Sequence, residues 1–239
     1  MAHCEQVDAA VGTMAPPLSR LRALLGALPA RDGVAVFTRV YTEAAEAADR
    51  RAGEGVLPAV RAASALDARL AERALAALDA PDEGRRPPAC WRPLLQFRRH
   101  PGVRPVQFAL AGVHAQAGHD LALALVDTCR TLGCEPVDLE TEFDRVGDLL
   151  ASVEERAREE LTPGPDRLRL ADPLAHLLGA WSLERAREAA WSAARALWAL
   201  RPQPEIAGEL ADRLDTTAGL AARMLLIPLP GPHTKARHA

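Results

Sequence analysis

Apolar residues recur along most of the chain at the spacing of an α-helix. The clearest case is the segment 139–161, in which they fall at intervals of three and four: Leu139, Phe143, Val146, Leu150, Val153, Ala157 and Leu161. No stretch alternates apolar and polar residues as a half-buried strand does, and no repeat of fixed length is present. The pattern predicts an all-α protein.

Prolines and glycines divide the chain into predicted helices. Six of these helices cover 17–28, 57–78, 91–98, 105–132, 139–161 and 204–226. A further helix begins at Asp32-Gly33 and ends near residue 48. A long helix begins at Asp172-Pro173 and carries Trp181, Trp191 and Trp198. Short connections without a shift in composition predict one helical domain, 17–227. A flexible N-terminus (1–16) and a disordered tail (228–239) are expected on either side of it.

The segment 105–132 differs from the others because apolar or small residues occupy all of its sides between Phe108 and Val126. Such a segment is typical of a helix buried all round, so the prediction is a multi-helix bundle with this helix at its centre. The segment is long enough to suggest a membrane span. His119 and Asp120 near its middle argue against one, because charged groups are costly inside a bilayer.

Four polar residues interrupt this helix: His114, Gln116, His119 and Asp120. At about 100° per residue, Gln116, His119 and Asp120 share one face, whereas His114 points about 160° from Gln116. His114 joins the others only if Gly112 or Gly118 distorts the helix. Burying a carboxylate costs free energy unless it is paired, hydrogen-bonded or bound to a metal, so the cluster is a candidate site.

Three interpretations of the cluster remain open on the residues alone. His119 could act as a general acid or base with Asp120 as its orienting partner, since histidine titrates near neutral pH. The same pair, with His114, could ligate a divalent metal. The cluster could also be a satisfied polar network that fixes helix packing. Substrate contacts are expected from His114, Gln116, Asp144 and Trp181, although Asp144 on its helix also fits a solvated charge.

Composition and charge narrow the setting. Aromatic residues are only 4% while Ala and Leu dominate, which favours helix over strand. A net charge of −3 without a basic stripe argues against nucleic-acid binding, and the N-terminus lacks the pattern of a signal peptide, so a cytoplasmic protein is expected. The cysteines, Cys4, Cys90, Cys129 and Cys134, show no C-x-x-C spacing and are interpreted as buried or idle thiols.

A family resemblance emerges from the central helix. The run 105–112, followed by His119-Asp120-Leu121 and 123–126, resembles an uncharacterised actinobacterial family of unknown function whose helix reads A-G-M-N-A-H-I-N-H-D-L. Further matching stretches spread the resemblance over most of the chain: Phe37 and Tyr41, 91–94, Arg145-Val146, Trp181 and Ala190-Trp191. It implies a shared fold and no particular reaction.

The resemblance also bears on the chemistry. The family pattern H-x-x-H-D implies two histidines and an aspartate on one face, as in a metal or acid–base site. In this chain Gln116 stands at the first histidine, His114 stands at an asparagine, and Gly147 replaces an asparagine expected after Arg145-Val146. Glutamine is a poor ligand for transition metals, so the departure favours acid–base chemistry over a metal site.

The function expected from the sequence is therefore an enzyme that uses acid–base chemistry on a small, largely apolar metabolite. Its reaction would be a cyclisation, isomerisation, elimination or hydrolysis, in the specialised metabolism of an actinobacterium. A metal-dependent hydrolase and a non-catalytic ligand-binding or structural protein are the alternatives. No cofactor is required by the sequence, a divalent metal fits the second interpretation, and exposed Ala-Leu faces permit a homodimer.

Overall fold

Prolines, glycines and capping side chains set the helix ends in the computed structural model, which describes residues 16–52, 57–161 and 182–228. Every regular element in these residues is helical. The α-helices are α1 (Pro16–Ala27), α2 (Gly33–Ala52), α3 (Leu57–Asp79), α4 (Arg92–Phe97), α5 (Pro105–Ala115), α6 (Leu121–Leu132), α7 (Glu140–Leu161), α8 (Leu183–Ala199) and α9 (Pro204–Leu225). A π turn spans Gln116–Asp120, and a 3-10 turn spans Pro136–Leu139. The predicted all-α bundle is confirmed.

The predicted capping signals act as expected at two helix ends. Asp32 is buried, and its Oδ1 accepts the backbone N–H of Val34 at 3.0 Å, which satisfies a free donor in the first turn of α2. Gly133 ends α6 with a positive φ of 68°, a left-handed conformation that favours glycine because it lacks a Cβ. Helix boundaries therefore follow local chemistry.

One predicted helix is interrupted at Ser182. Ser182 has an extended backbone (φ −118°, ψ 116°), and its hydroxyl accepts the backbone N–H of Arg185 at 3.3 Å. Since serine is a preferred N-cap, it starts α8 at Leu183, so the predicted helix that carries Trp191 and Trp198 does not run unbroken through Ser182. The stretch 162–181, including Asp172-Pro173 and Trp181, and most of the two predicted terminal segments lie outside the described residues.

The predicted central helix spans Pro105 to Leu132 as three consecutive parts, α5, the π turn and α6. Neighbouring helices pack on every side of it: α2, α7 and α9 on α5, α3 and α8 on α6, and α8 and α9 on the π turn. Gly112 admits the ring of Phe37 so closely that a Cβ there would overlap the ring. Among the described residues, no helix is both long and apolar enough to span a membrane.

Candidate functional site

The π turn lies at the middle of the central helix and contains three of the four predicted polar residues, Gln116, His119 and Asp120. It closes with the backbone N–H of Leu121 bonded to the carbonyl oxygen of Gln116, five residues earlier. Such single π turns insert a residue into an α-helix and occur frequently at functional sites. Gly118 lies within the turn, where a Cβ would come 3.1 Å from Cβ of Ala218 on α9. The distortion considered from the sequence is therefore present, and it brings α9 against the cluster.

His119 and Asp120 form a hydrogen-bonded pair in the π turn. Nδ1 of His119 lies 2.8 Å from Oδ1 of Asp120, and the indole N–H of Trp91 donates to Oδ2 of Asp120 at 2.8 Å. Asp120 is 2% exposed and Trp91 is fully buried. Both carboxylate oxygens thus have a donor, which a buried carboxylate requires.

The hydrogen-bond partners indicate the tautomer of His119. Because Nδ1 faces an acceptor-only carboxylate, the neutral ring carries its proton on Nδ1 and leaves a lone pair on Nε2. None of the described residues hydrogen-bonds to Nε2, and the His119 side chain is 9% exposed. This is the arrangement of a histidine oriented by an aspartate, with its second nitrogen available to take a proton.

Cys90 completes the buried cluster from a distant part of the chain. Its Sγ lies 3.6 Å from Nδ1 of His119, and the residue is fully buried. Burial raises the pKa of the Cys90 thiol, and the nearby carboxylates of Asp120 and Asp215 raise this pKa further, so the free thiol stays protonated at neutral pH. The sequence interpretation as a buried thiol is confirmed, but its contact with His119 was not predicted.

Asp215 on α9 holds the turn that carries Cys90 and Trp91. Its carboxylate accepts the backbone N–H of Ala89 at 2.6 Å and that of Cys90 at 2.9 Å. Burial acts to raise the pKa of Asp215, but these backbone hydrogen bonds outweigh it and the net effect lowers the pKa. One turn later, Gly219 lets α9 approach the carbonyl of Ala89, since a Cβ there would lie 2.6 Å from that oxygen.

The structure buries the two other predicted polar residues of the central helix without bonding them to the pair. His114 is 7% exposed, and burial lowers its pKa to about 4, so its ring is neutral at physiological pH. Its Nε2 lies 3.9 Å from the position that a Cβ on Gly118 would occupy. Gln116 is fully buried, and neither atom of its amide has a hydrogen-bond partner within the described part of the chain.

One residue predicted to contact a substrate, Asp144, does not join this cluster in the structure. Asp144 on α7 has a side chain that is 65% exposed and pairs with Arg187 of α8 at 3.2 Å. Gly147 between Asp144 and Asp148 leaves room for the Arg187 guanidinium, which a Cβ would overlap. Asp144 therefore forms an exposed ion pair between α7 and α8. Trp181 lies outside the described residues.

The cluster also brings together donor atoms that can bind a metal. Cys90, His119 and Asp120 each offer one donor atom, and these atoms lie within 4.8 Å of one another. The sequence predicted His114 as the additional ligand; in the described residues the Cys90 thiol, rather than the His114 ring, lies within this distance of the other two donors. Thiolate, imidazole and carboxylate together suit Zn²⁺ better than Mg²⁺ or Ca²⁺, which prefer oxygen ligands.

Sequence reasoning missed Cys90, Trp91 and Asp215 as parts of the site. The resemblance included Trp91 only as part of a matching stretch. Asp215 carried a detectable signal, because it falls on the helical spacing of the apolar stripe formed by Ala211, Ala218 and Ala222. A carboxylate on a buried stripe needs a partner. That partner is backbone N–H, which no sequence pattern reveals.

Comparison with known proteins gives one match. The sequence model of a family described as "Family of unknown function (DUF5995)" matches residues 17–228, most of the chain. No curated protein and no solved structure matches the chain significantly. The resemblance to a family of unknown function is thereby confirmed, and the match assigns no reaction.

Proposed function

Since the chain belongs to the family of unknown function DUF5995, we propose its function from the site: it is an enzyme that uses His119 as general acid–base and Asp120 as the orienting partner. The observation that carries the proposal is the 2.8 Å contact between Nδ1 of His119 and Oδ1 of Asp120. A carboxylate in this position fixes the ring and stabilises the imidazolium that forms during proton transfer.

The proposed step is a proton transfer at Nε2 of His119. The Nε2 lone pair takes a proton from the substrate, the ring becomes imidazolium, and the Asp120 carboxylate stabilises that charge through Nδ1–H. The imidazolium then returns the proton to a different atom of the substrate or to a leaving group. Isomerisation, elimination, cyclisation and hydrolysis all fit this sequence. A positioned acid–base group of this kind contributes about 10² to 10⁴ in rate.

Trp91 supports the step by holding Asp120. Its indole N–H occupies Oδ2, so Oδ1 is the oxygen that faces the imidazole. Trp91 is itself fixed by burial and by an edge contact with the ring of Phe37, with centroids 5.3 Å apart. Its hydrogen bond is to Asp120, so it acts on the proton transfer through that carboxylate, as a positioning residue.

The surroundings favour a small, largely apolar substrate. Val113, Ala115, Ala117 and Leu121 flank the polar residues of the central helix, and all are fully buried. Both polar atoms of the buried Gln116 amide lack hydrogen-bond partners among the described residues. This amide is therefore suited to bind a polar group of the substrate. A biosynthetic role in the specialised metabolism of an actinobacterium, such as cyclisation, is part of this proposal.

Hydrogen exchange at carbon tests the proposal without knowledge of the full reaction. A metabolite extract of the source organism is incubated with the purified chain in D₂O, and deuterium uptake into each metabolite is followed by mass spectrometry. We expect uptake into a specific compound that falls at least about tenfold with His119→Gln and with Asp120→Asn. His100→Gln is the matched control, because His100 is exposed and remote in sequence from the pair.

Two results would count against the acid–base function. One is uptake that persists unchanged in folded His119→Gln protein. The other is the absence of any enzyme-dependent uptake together with a large loss of stability in both site variants, which would support the structural alternative, a polar network that only fixes helix packing.

A further inference from the structure

We propose that Cys90, His119 and Asp120 form a zinc-binding site. The inference goes beyond the acid–base function and can be tested separately from it, because metal binding needs no substrate. The three donor atoms lie within 4.8 Å of one another, although Cys90 is 29 residues from His119 in the chain. All three residues are buried, so the donors are held by the fold rather than by chance proximity of surface side chains.

The separation of two donors fits a tetrahedral zinc. Zn–S and Zn–N bonds of about 2.3 Å and about 2.0 Å at a tetrahedral angle place sulfur and nitrogen about 3.5 Å apart. Sγ of Cys90 and Nδ1 of His119 are 3.6 Å apart. Nδ1 and Oδ1 of Asp120 are closer, at 2.8 Å, than the roughly 3.3 Å that two zinc ligands would require. For this second pair, zinc binding requires the Asp120 carboxylate to move about half an ångström away from Nδ1.

Two of the three donors, Asp120 and Cys90, are supported by hydrogen bonds from neighbouring groups, as ligands in metal sites are. Trp91 donates to Oδ2 of Asp120, which leaves Oδ1 toward the metal position. Asp215 holds the backbone N–H of Cys90 and so fixes the residue that supplies the thiolate. Such supporting hydrogen bonds orient ligands and increase metal affinity. The described residues supply three ligands, which leaves a fourth position for water or a substrate atom, as in catalytic zinc sites.

Zinc binding changes the protonation of the cluster in a defined way. The Cys90 thiol releases its proton to solvent and becomes the thiolate ligand. The His119 ring transfers its proton from Nδ1 to Nε2 through solvent, which frees the Nδ1 lone pair for the metal. One proton is therefore released per zinc bound. The zinc form has no Nδ1–H for Asp120 to orient, so added zinc should inhibit the proton transfer proposed above.

The test uses the full chain, purified without an oligohistidine tag and treated with a chelator. Zn²⁺ is titrated by calorimetry in two buffers of different ionisation enthalpy, and Co²⁺ is titrated in parallel by absorption spectroscopy. We expect one equivalent of Zn²⁺, about one proton released, and a thiolate-to-cobalt charge-transfer band. Cys90→Ser should abolish the band and weaken zinc binding at least tenfold. Cys129→Ser, which removes a buried thiol outside the cluster, should leave both unchanged.

A variant that keeps only Cys90 tests the proposal even if Cys90→Ser fails to fold. The chain has four cysteines, so replacing Cys4, Cys129 and Cys134 by serine leaves Cys90 as the sole thiol. This variant should keep the charge-transfer band. Absence of stoichiometric zinc binding to the folded wild type, a band that survives Cys90→Ser, or a band lost from the Cys90-only variant would each overturn the proposal. None of these results bears on deuterium uptake, so the two proposals fail separately.

Discussion

Trp91 donates its indole N–H to Oδ2 of Asp120 at 2.8 Å, which joins the residue that caps α4 to the π turn of the central helix. The contact spans 29 residues of sequence and is fully buried. It decides which carboxylate oxygen faces His119. The acid–base pair is therefore assembled from two segments, although His119 and Asp120 are adjacent in the chain.

Removing this hydrogen bond should destabilise the protein. Trp91→Phe leaves Oδ2 of Asp120 buried without its donor, which costs about 1–3 kcal/mol, and the smaller ring adds a cavity cost. Urea denaturation measures the free energy of unfolding. Trp198→Phe is the control, because Trp198 is only half-buried and its indole bonds Glu135 at the surface. Equal losses in the two variants would contradict a special role for Trp91.

Asp215 should matter both for stability and for the environment of Cys90. Asp215→Ala removes the acceptor of two backbone N–H groups, with an expected cost of about 2 kcal/mol. Loosening of the 88–91 turn should also speed labelling of Cys90 by a thiol reagent, located by peptide mapping. Asp212→Ala, an exposed position on the same helix, should change neither quantity. Unchanged labelling in Asp215→Ala would show that other contacts hold the turn.

Close packing at Gly112 predicts opposite effects for two glycine substitutions. Gly112→Ala would drive a methyl group into the buried ring of Phe37 and should cost about 1–3 kcal/mol. Gly208→Ala in α9 meets no atom within 4 Å and should stabilise the helix by about 0.5–1 kcal/mol. Thermal melts of both variants check the pair. A stabilised Gly112→Ala variant would show that Phe37 does not occupy this position.

The sequence predicted the helices well because their signals are local. The apolar spacing of α7, the Asp32 cap and the Gly133 stop each act within a few residues, and each appears where expected. The all-round apolar pattern likewise identified the central helix. The start of α8 was missed because the Ser182 cap competes with an otherwise continuous helical pattern.

The site was predictable only in part. The cost of burying polar groups identified His119 and Asp120 as a pair, and the structure shows them hydrogen-bonded. Cys90 contacts His119 and Trp91 donates to Asp120, each across 29 residues of sequence, and no pattern in a single chain shows a contact between such distant segments. Asp144 was predicted to contact a substrate because of its position on a helix face. In the structure its side chain is exposed and pairs with Arg187.

His114 predicts a pH dependence of stability. Burial lowers its pKa to about 4 in the folded protein, from an ordinary value of 6.5. Between these values the unfolded chain binds a proton that the folded chain does not, so stability falls as the pH drops from about 6.5 to about 4. This group accounts for a loss of about 3 kcal/mol over that interval, fully developed below the folded pKa.

Denaturation at several pH values isolates this contribution. His114→Gln removes the titrating group, so its free energy of unfolding should decline less than that of the wild type between pH 6.5 and pH 4.5. The difference between the two proteins is the informative quantity, since other groups titrate equally in both. Parallel curves would indicate that His114 is accessible to solvent protons in the fold.

The most direct test of the acid–base pair is the tautomer of His119, measured by long-range ¹H–¹⁵N NMR on metal-free, ¹⁵N-histidine-labelled protein at a pH at which the ring is neutral. His119→Gln assigns the resonance. The hydrogen bond to Asp120 predicts a proton on Nδ1 and an unprotonated Nε2, and Asp120→Asn should weaken this preference. A ring protonated at Nε2 with a bare Nδ1 in the metal-free wild type would contradict the proposed orientation of His119 by Asp120.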